Sequence, residues 1–181
     1  MPTKNIWSLN IDELLVADRL KSLFNKSKYE VLFPLNSQMK DIDLVLLKLK
    51  NNSVATIQVK GSRTYDPKRA EVEKYGEGSV AWFRLTKESI NIPTNKIDYY
   101  IFVLHCFNDN EHKKEIVINY LIVPSNQFIS LCKKKTLRKG GIYHFFVWVD
   151  SNHNRAFDYN NKGNKIINLS KYLNNWELIK Y

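Results

Sequence analysis

Cysteine is scarce in this chain. Cys106 and Cys132 are the two in 181 residues, and no Cys-x-x-Cys spacing occurs. Two thiols cannot build a disulfide framework or a zinc knuckle, so both read as reduced side chains in or near the core. Glycine and proline are also few, at 6 and 5, which excludes collagen-like and mucin-like chains. No apolar run approaches the ~18 residues of a membrane-spanning helix, and the longest, near 44–47 and 145–149, are strand-sized. No membrane partner is therefore expected. The opening residues, with Asn5, Ser8 and Asn10, hold no apolar signal core, so the expected location is the cytoplasm. The scarce sign of charge is negative: 18 Asp+Glu stand against 28 Lys+Arg, leaving +10. Such a surplus favours a polyanionic partner, because neutralised phosphates release counterions.

Familiar catalytic signatures are missing as well. His105, His112, His144 and His153 show neither zinc spacing nor a nucleophile partner. There is no Gly-x-Ser-x-Gly elbow and no P-loop; Gly76-Glu77-Gly78 is too short to cradle a phosphate. The segment from Asp150 to Asn154 imitates the opening of a calcium loop. Arg155 stands where the sharp turn needs glycine, however, and Asn161 where a bidentate glutamate closes the shell, so it reads as an ordinary loop.

What is present is a core. With 44% hydrophobic and 13% aromatic residues, the chain can bury enough surface for one domain spanning 1–181. Asn10, with Glu13 three residues on, forms a capping-box pattern, and Leu14, Leu15, Leu20, Leu23 and Phe24 follow at helical spacing, predicting a helix over 10–24. A short strand over 29–33 ends at Pro34. Strands over 42–50 and 54–60 flank Asn51-Asn52-Ser53, whose asparagines tolerate left-handed angles, which predicts an antiparallel hairpin. The stretch 61–78 reads as a polar surface excursion. Further strands are expected over 80–85, 99–107, 116–123 and 142–149, a helix over 124–133, a polar loop over 150–165, and a last helix capped by Ser170 and reaching about 179. The expectation is a mixed α/β domain with a central mixed β-sheet flanked by helices.

The chemistry concentrates in the hairpin. Residues two apart on a strand share a face, so Gln58 and Lys60 point together while Ile57 and Val59 point to the core. The hairpin sets the start of one strand against the end of the other, bringing Asp43 to Gln58 and Lys60. A carboxylate, a neutral oxygen and a cation in one place suit phosphodiester hydrolysis. That reaction uses a hard cation on oxygen ligands, a positioned water, and positive charge facing the charge that builds on phosphorus. Glu13 shares a helical stripe with Ala17, Leu20 and Phe24, so it faces inward, as a further carboxylate for the site or as the arm of the capping box.

At these residues the chain resembles the PD-(D/E)XK nuclease superfamily. The matching segments are Glu13-Leu14-Leu15-Val16-Ala17, the strand ending at Pro34, Asp43-Leu44-Val45-Leu46 and Ile57-Gln58-Val59-Lys60-Gly61-Ser62. Weaker likeness continues through Ala81-Trp82-Phe83, 98–103 and 121–125, so the resemblance covers most of 11–135; the strand and helix over 142–179 lie beyond it. It implies a restriction-endonuclease-like fold and a metal-dependent endonuclease acting on DNA. By the resemblance Asp43 is the metal-binding aspartate, Gln58 stands at the Asp/Glu position, Lys60 is the motif lysine and Glu13 completes the metal environment. Mg²⁺ or Mn²⁺ would be held by Asp43, Gln58, Glu13 and the Val59 carbonyl. Superfamily members often act as homodimers. The chain departs from the pattern twice: no proline precedes the acid, with Asp41 as a rival ligand, and Gln58 replaces a carboxylate. That glutamine supports an alternative, a catalytically inactive nucleic-acid-binding module of the same fold, and a protein-interaction domain is a third reading.

Two basic groups are candidate phosphate contacts: Ser62, Arg63, Lys68 and Arg69, directly after the motif lysine, and Lys133, Lys134, Lys135, Arg138 and Lys139, a cluster without an acid. Tyr65 is a base-stacking candidate or a lid on the core. Trp82, Tyr99, Tyr100 and Trp148, in strand-like runs, are expected in the core.

Overall fold

Asn10 starts the first helix as expected: its side-chain oxygen accepts the Asp12 amide at 3.1 Å, offsetting one unpaired N–H of the first turn. In the computed structural model, which describes residues 10–34, 41–90, 96–110, 113–150, 152–159, 163 and 165–180, helix α1 (Ile11–Leu23) follows. Val16, Ala17 and Leu20 on it are buried, and a fully covered leucine alone contributes about 1.5–3 kcal/mol. Strands β1 (Tyr29–Leu32), β2 (Leu44–Lys48) and β3 (Ser53–Tyr65) form an antiparallel meander. The β2–β3 turn contains Asn52 at φ 55°, the left-handed angle an asparagine tolerates.

The remaining elements are α2 (Arg69–Tyr75), β4 (Ser79–Thr86), α3 (Lys87–Ile90), β5 (Tyr99–Asn110), β6 (Lys113–Pro124), α4 (Ser125–Lys133), β7 (Ile142–Asp150), β8 (Arg155–Asp158) and β9 (Ile167–Asn168). Among the described residues nine strands form one sheet. It is mixed: β5 runs parallel to β3 from Ile57↔Tyr99 to Arg63↔His105, and the other pairings are antiparallel. Strand β5 is buried on both faces, from Tyr99 through Leu104, which is why it reads as a continuous apolar run. One face packs on α1, with Val16, Leu20, Ile57, Val59, Ile101 and Val103. The other packs Tyr100, Phe102 and Leu104 against Ala81, Phe83, Phe145 and Val147 of β4 and β7, so β3 passes from one layer to the other. No helix among the described residues is long and apolar enough to cross a membrane.

Three segments differ from expectation. The excursion over 61–78 is largely regular: β3 runs on to Tyr65 and α2 follows. Small polar residues disguise this strand because they work inside it. The Thr64 hydroxyl donates to the His105 carbonyl at 2.8 Å, and the Ser62 hydroxyl both donates to the Trp82 carbonyl at 3.1 Å and accepts its N–H at 3.2 Å. The loop over 150–165 contains β8, hidden because only Ala156 and Asp158 of its four residues are buried. The last helix does not form; two 3-10 turns, Ser170–Tyr172 and Trp176–Leu178, stand there. Between them Asn174, at φ 50°, docks on β6, its side-chain carbonyl oxygen accepting the Tyr120 N–H at 2.9 Å and its own backbone N–H meeting the Tyr120 carbonyl at 2.7 Å. Those bonds replace a helical turn. Cys106 and Cys132 are free and buried, as expected.

Candidate functional site

Strand β3 changes partners along its length. Pairing with β2 stops at Leu44↔Ile57, pairing with β4 begins at Thr64↔Ala81, and the stretch between keeps β5 beside it. Asp43 stands at the point where β2 departs. Its N–H donates to the Ile57 carbonyl at 2.9 Å, and its carboxylate Oδ2 accepts the Val59 N–H at 2.7 Å. The side chain thus takes the place of the next backbone acceptor and fixes the carboxylate at the exposed end of the ladder. The N–H and C=O of a strand residue share an edge, so the Val59 carbonyl faces the same opening.

Gln58 and Lys60 leave β3 on the face opposite Ile57 and Val59, as the alternation requires. Lys60 is half-buried. Gln58 lies deeper than a strand-end glutamine on an open face would: it is 3% exposed, and its Oε1 has no hydrogen-bond partner among the described residues. A buried amide oxygen left unsatisfied costs about 1–3 kcal/mol, so this atom is a candidate for a cation or an ordered water. The structure thus sets the Asp43 carboxylate on the Val59 amide, with Gln58 and Lys60 the residues on either side of Val59. Asp41, the rival ligand, instead reaches Lys96 at 3.4 Å on the surface.

Glu13 is half-buried on the first turn of α1, but the side chain that α1 lays on β3 is its neighbour Asp12. The Asp12 carboxylate fills the space above Gly61, where an added Cβ would collide with Oδ2, and Oδ1 sits 2.5 Å from His105 Nε2. Sequence reasoning misses this Asp12–His105 pair, although a glycine inside a strand marks a close approach. Gly61→Ala is expected to push Asp12 off His105 and destabilise the fold by about 1–3 kcal/mol, as overpacking does. Urea unfolding measures it; an unchanged midpoint would mean that α1 does not sit on Gly61.

The two basic groups fare differently. Arg63 is exposed, whereas the Ser62 hydroxyl is occupied by the Trp82 backbone. Lys68 precedes α2, its N–H donating to Glu71 at 2.8 Å, and Arg69 is paired with Glu73 at 3.0 Å in the open. In the second cluster Lys133, Lys134, Arg138 and Lys139 face solvent. Lys135 does not: it is 2% exposed, ion-paired with buried Asp158, with its Nζ 4.3 Å from the Phe145 ring centroid. Burial pushes its pKa down and Asp158 opposes that shift. It turns inward because Asp158 needs a counter-charge, so it is no phosphate contact.

Tyr99, Tyr100 and Trp148 are core residues as expected, and Tyr65 is exposed, but Trp82 is 43% exposed on the outer face of β4. Among the described residues no group of three or more His, Cys, Asp and Glu side chains converges to hold a metal ion. The set at the fork differs from that kind of cluster by counting an amide and a carbonyl oxygen. The concave surfaces between α1 and β1, around Phe24 and Tyr29, and within the core around Phe102 and Phe128 lie elsewhere. Compared with known proteins, the chain matches no family model, no curated protein and no solved structure.

Proposed function

We propose that the protein is a metal-dependent endonuclease hydrolysing DNA phosphodiester bonds, with a restriction-endonuclease-like fold and its site where β2 leaves β3. The observation that carries this reading is Asp43 docked on the Val59 amide at 2.7 Å, one residue from Gln58, whose buried Oε1 lacks a partner among the described residues. Hard oxygen donors of this kind fit Mg²⁺ or Mn²⁺: the Asp43 carboxylate, the Gln58 amide oxygen and the Val59 carbonyl; Glu13 rides on α1, which packs on the face of β3 opposite Gln58, so Asp43 is the anion of the set. When bound, the ion supplies Lewis-acid stabilisation of the phosphoryl oxygens. Asp43 carries the fixed negative charge, and its bond to Val59 holds it in place. Lys60, on the face of Gln58, offers an ammonium to the charge that develops on phosphorus or to the attacking water. Arg63 and the solvent-facing cations of 133–139 hold the backbone in register.

The test is nicking of supercoiled and branched DNA by wild type and by Asp43→Asn, in Mg²⁺, Mn²⁺ and EDTA. Asparagine keeps an oxygen for the Val59 N–H and loses the charge. Metal-dependent cuts that disappear in Asp43→Asn support the reading. Equal cutting by both proteins, or none by wild type on any substrate, overturns it. The absence of cutting with DNA binding retained would favour the second reading, an inactive binding module of the same fold, on the ground that Gln58 contributes no charge.

A further inference from the structure

The outer face of the β4–β7 pair carries an aromatic surface that the hydrolytic site does not use. Trp82 and Phe146 are register partners and His144 is the neighbour of Phe146 on the same face. Trp82 and Phe146 lie 5.9 Å apart at 17°, His144 and Phe146 6.4 Å apart at 18°, and Trp82 and His144 5.6 Å apart at 32°. Three near-parallel rings thus meet at one place, and Tyr159 continues the row, 5.9 Å from Phe146. The rings are held in position. The Trp82 indole N–H donates to His144 Nδ1 at 3.1 Å, and the Trp82 backbone is clamped to Ser62, two residues beyond Lys60. Their ordering cost is met before any ligand arrives.

The charges that act on Trp82 and His144 are cationic. The Arg84 guanidinium lies 5.8 Å from the Trp82 ring centroid. The pKa of His144 is lowered, first by burial and then by Arg84, Arg138 and Lys135. A neutral imidazole accepting the indole N–H is the form that adds to a stacking surface. Solvent-reaching rings bordered by arginines match a ligand that combines π faces with repeated negative charge.

We propose that Trp82, His144 and Phe146, with Arg84 and Arg138, form a stacking platform for the unpaired bases of single-stranded DNA. The choice of DNA rests on the nuclease reading above; the stacking rests on the rings and charges themselves. The clamp from the Ser62 hydroxyl to the Trp82 backbone ties the platform to the motif strand two residues beyond Lys60. The site would then receive DNA with unpaired segments, such as flaps, forks and bubbles, rather than unbroken duplex.

The experiment is fluorescence anisotropy with labelled oligothymidylate in EDTA, where no cutting occurs, against duplex and oligouridylate competitors. Trp82→Ala is expected to weaken binding about 5- to 100-fold, as loss of one stacked base does, and Trp82→Phe to keep most of it. Arg84→Ala should flatten the plot of log affinity against log salt by about 0.7. Wild-type affinity in Trp82→Ala, duplex competing as well as single strand, or tighter binding of oligouridylate would each overturn the proposal. Photo-crosslinking of wild type to iodouracil-substituted DNA needs no variant. Crosslinks at Trp82, His144 or Phe146 support the platform, and crosslinks confined to other residues refute it. Asp43→Asn separates the two claims: if wild type never cuts but Trp82 still governs binding, the platform stands and the nuclease reading falls. Cutting that is lost in Asp43→Asn, beside unaltered binding by Trp82→Ala, keeps the nuclease and removes the platform.

Discussion

Lys60→Ala is expected to lose about 10²–10³-fold in cleavage rate while its affinity for DNA stays within about threefold of wild type; the rate figure is typical of removing one preorganised group facing developing charge. The separation follows from where Lys60 stands. It shares a face with Gln58, follows the Val59 whose amide holds the Asp43 carboxylate, is half-buried, and on the proposed reading would be one cation among many for binding. On the proposed reading, ground-state attraction to the backbone would be spread over the exposed Arg63, Lys133, Lys134, Arg138 and Lys139, so removing one charge should alter the salt slope by only about 0.9 on duplex DNA. Lys60→Arg keeps the charge but replaces a compact ammonium by a planar fork, and should recover part of the rate without reaching wild type. Single-turnover cleavage beside EDTA binding reads both quantities. Full activity in Lys60→Ala would remove the lysine from the mechanism and leave Asp43 and Gln58 without a cationic partner. Equal loss of binding and cleavage would make it a phosphate contact only.

The hairpin is legible in the sequence because several local signals agree there: alternation in 42–48 and 54–60, asparagines at the turn, and an acid at the strand mouth. The pairing Leu44↔Ile57 brings Asp43 next to Gln58 as expected. Other features depend on information that no local window carries. That β3 continues through Ser62 and Thr64 is decided by the carbonyls of Trp82 and His105, far away in sequence. Asp12 rather than Glu13 lies on β3 because Gly61 leaves room and His105 of the parallel strand β5 supplies a partner. Residue type favours the core for Trp82, yet alternation along β4 places Ala81 and Phe83 inside and Trp82 outside. Here the period is the better guide than the residue type.

The same contest between charge pattern and tertiary environment makes Lys135 the clearest stability probe. In sequence it is one of three consecutive lysines; in the fold it is ion-paired with Asp158, and the two side chains are 1% and 2% exposed. Asp158 also accepts the Phe146 N–H at 3.3 Å, so the carboxylate stays in the interior when the lysine is gone. Removing one partner of a buried pair leaves an uncompensated charge and costs about 3–5 kcal/mol. Lys135→Ala is therefore expected to lower stability by that amount in urea unfolding, while Lys133→Ala and Lys134→Ala, at exposed positions, stay within about 0.5 kcal/mol of wild type. The double variant Lys135→Met, Asp158→Leu should recover most of the loss, because well-packed apolar groups replace a buried ion pair at little cost. Lys135→Ala molecules that remain folded should bind DNA with an unchanged salt slope, since this ammonium neutralises Asp158 rather than a phosphate. A loss below about 1 kcal/mol, or a salt slope reduced as far as that of Lys134→Ala, would return Lys135 to the surface cluster that its sequence context suggests.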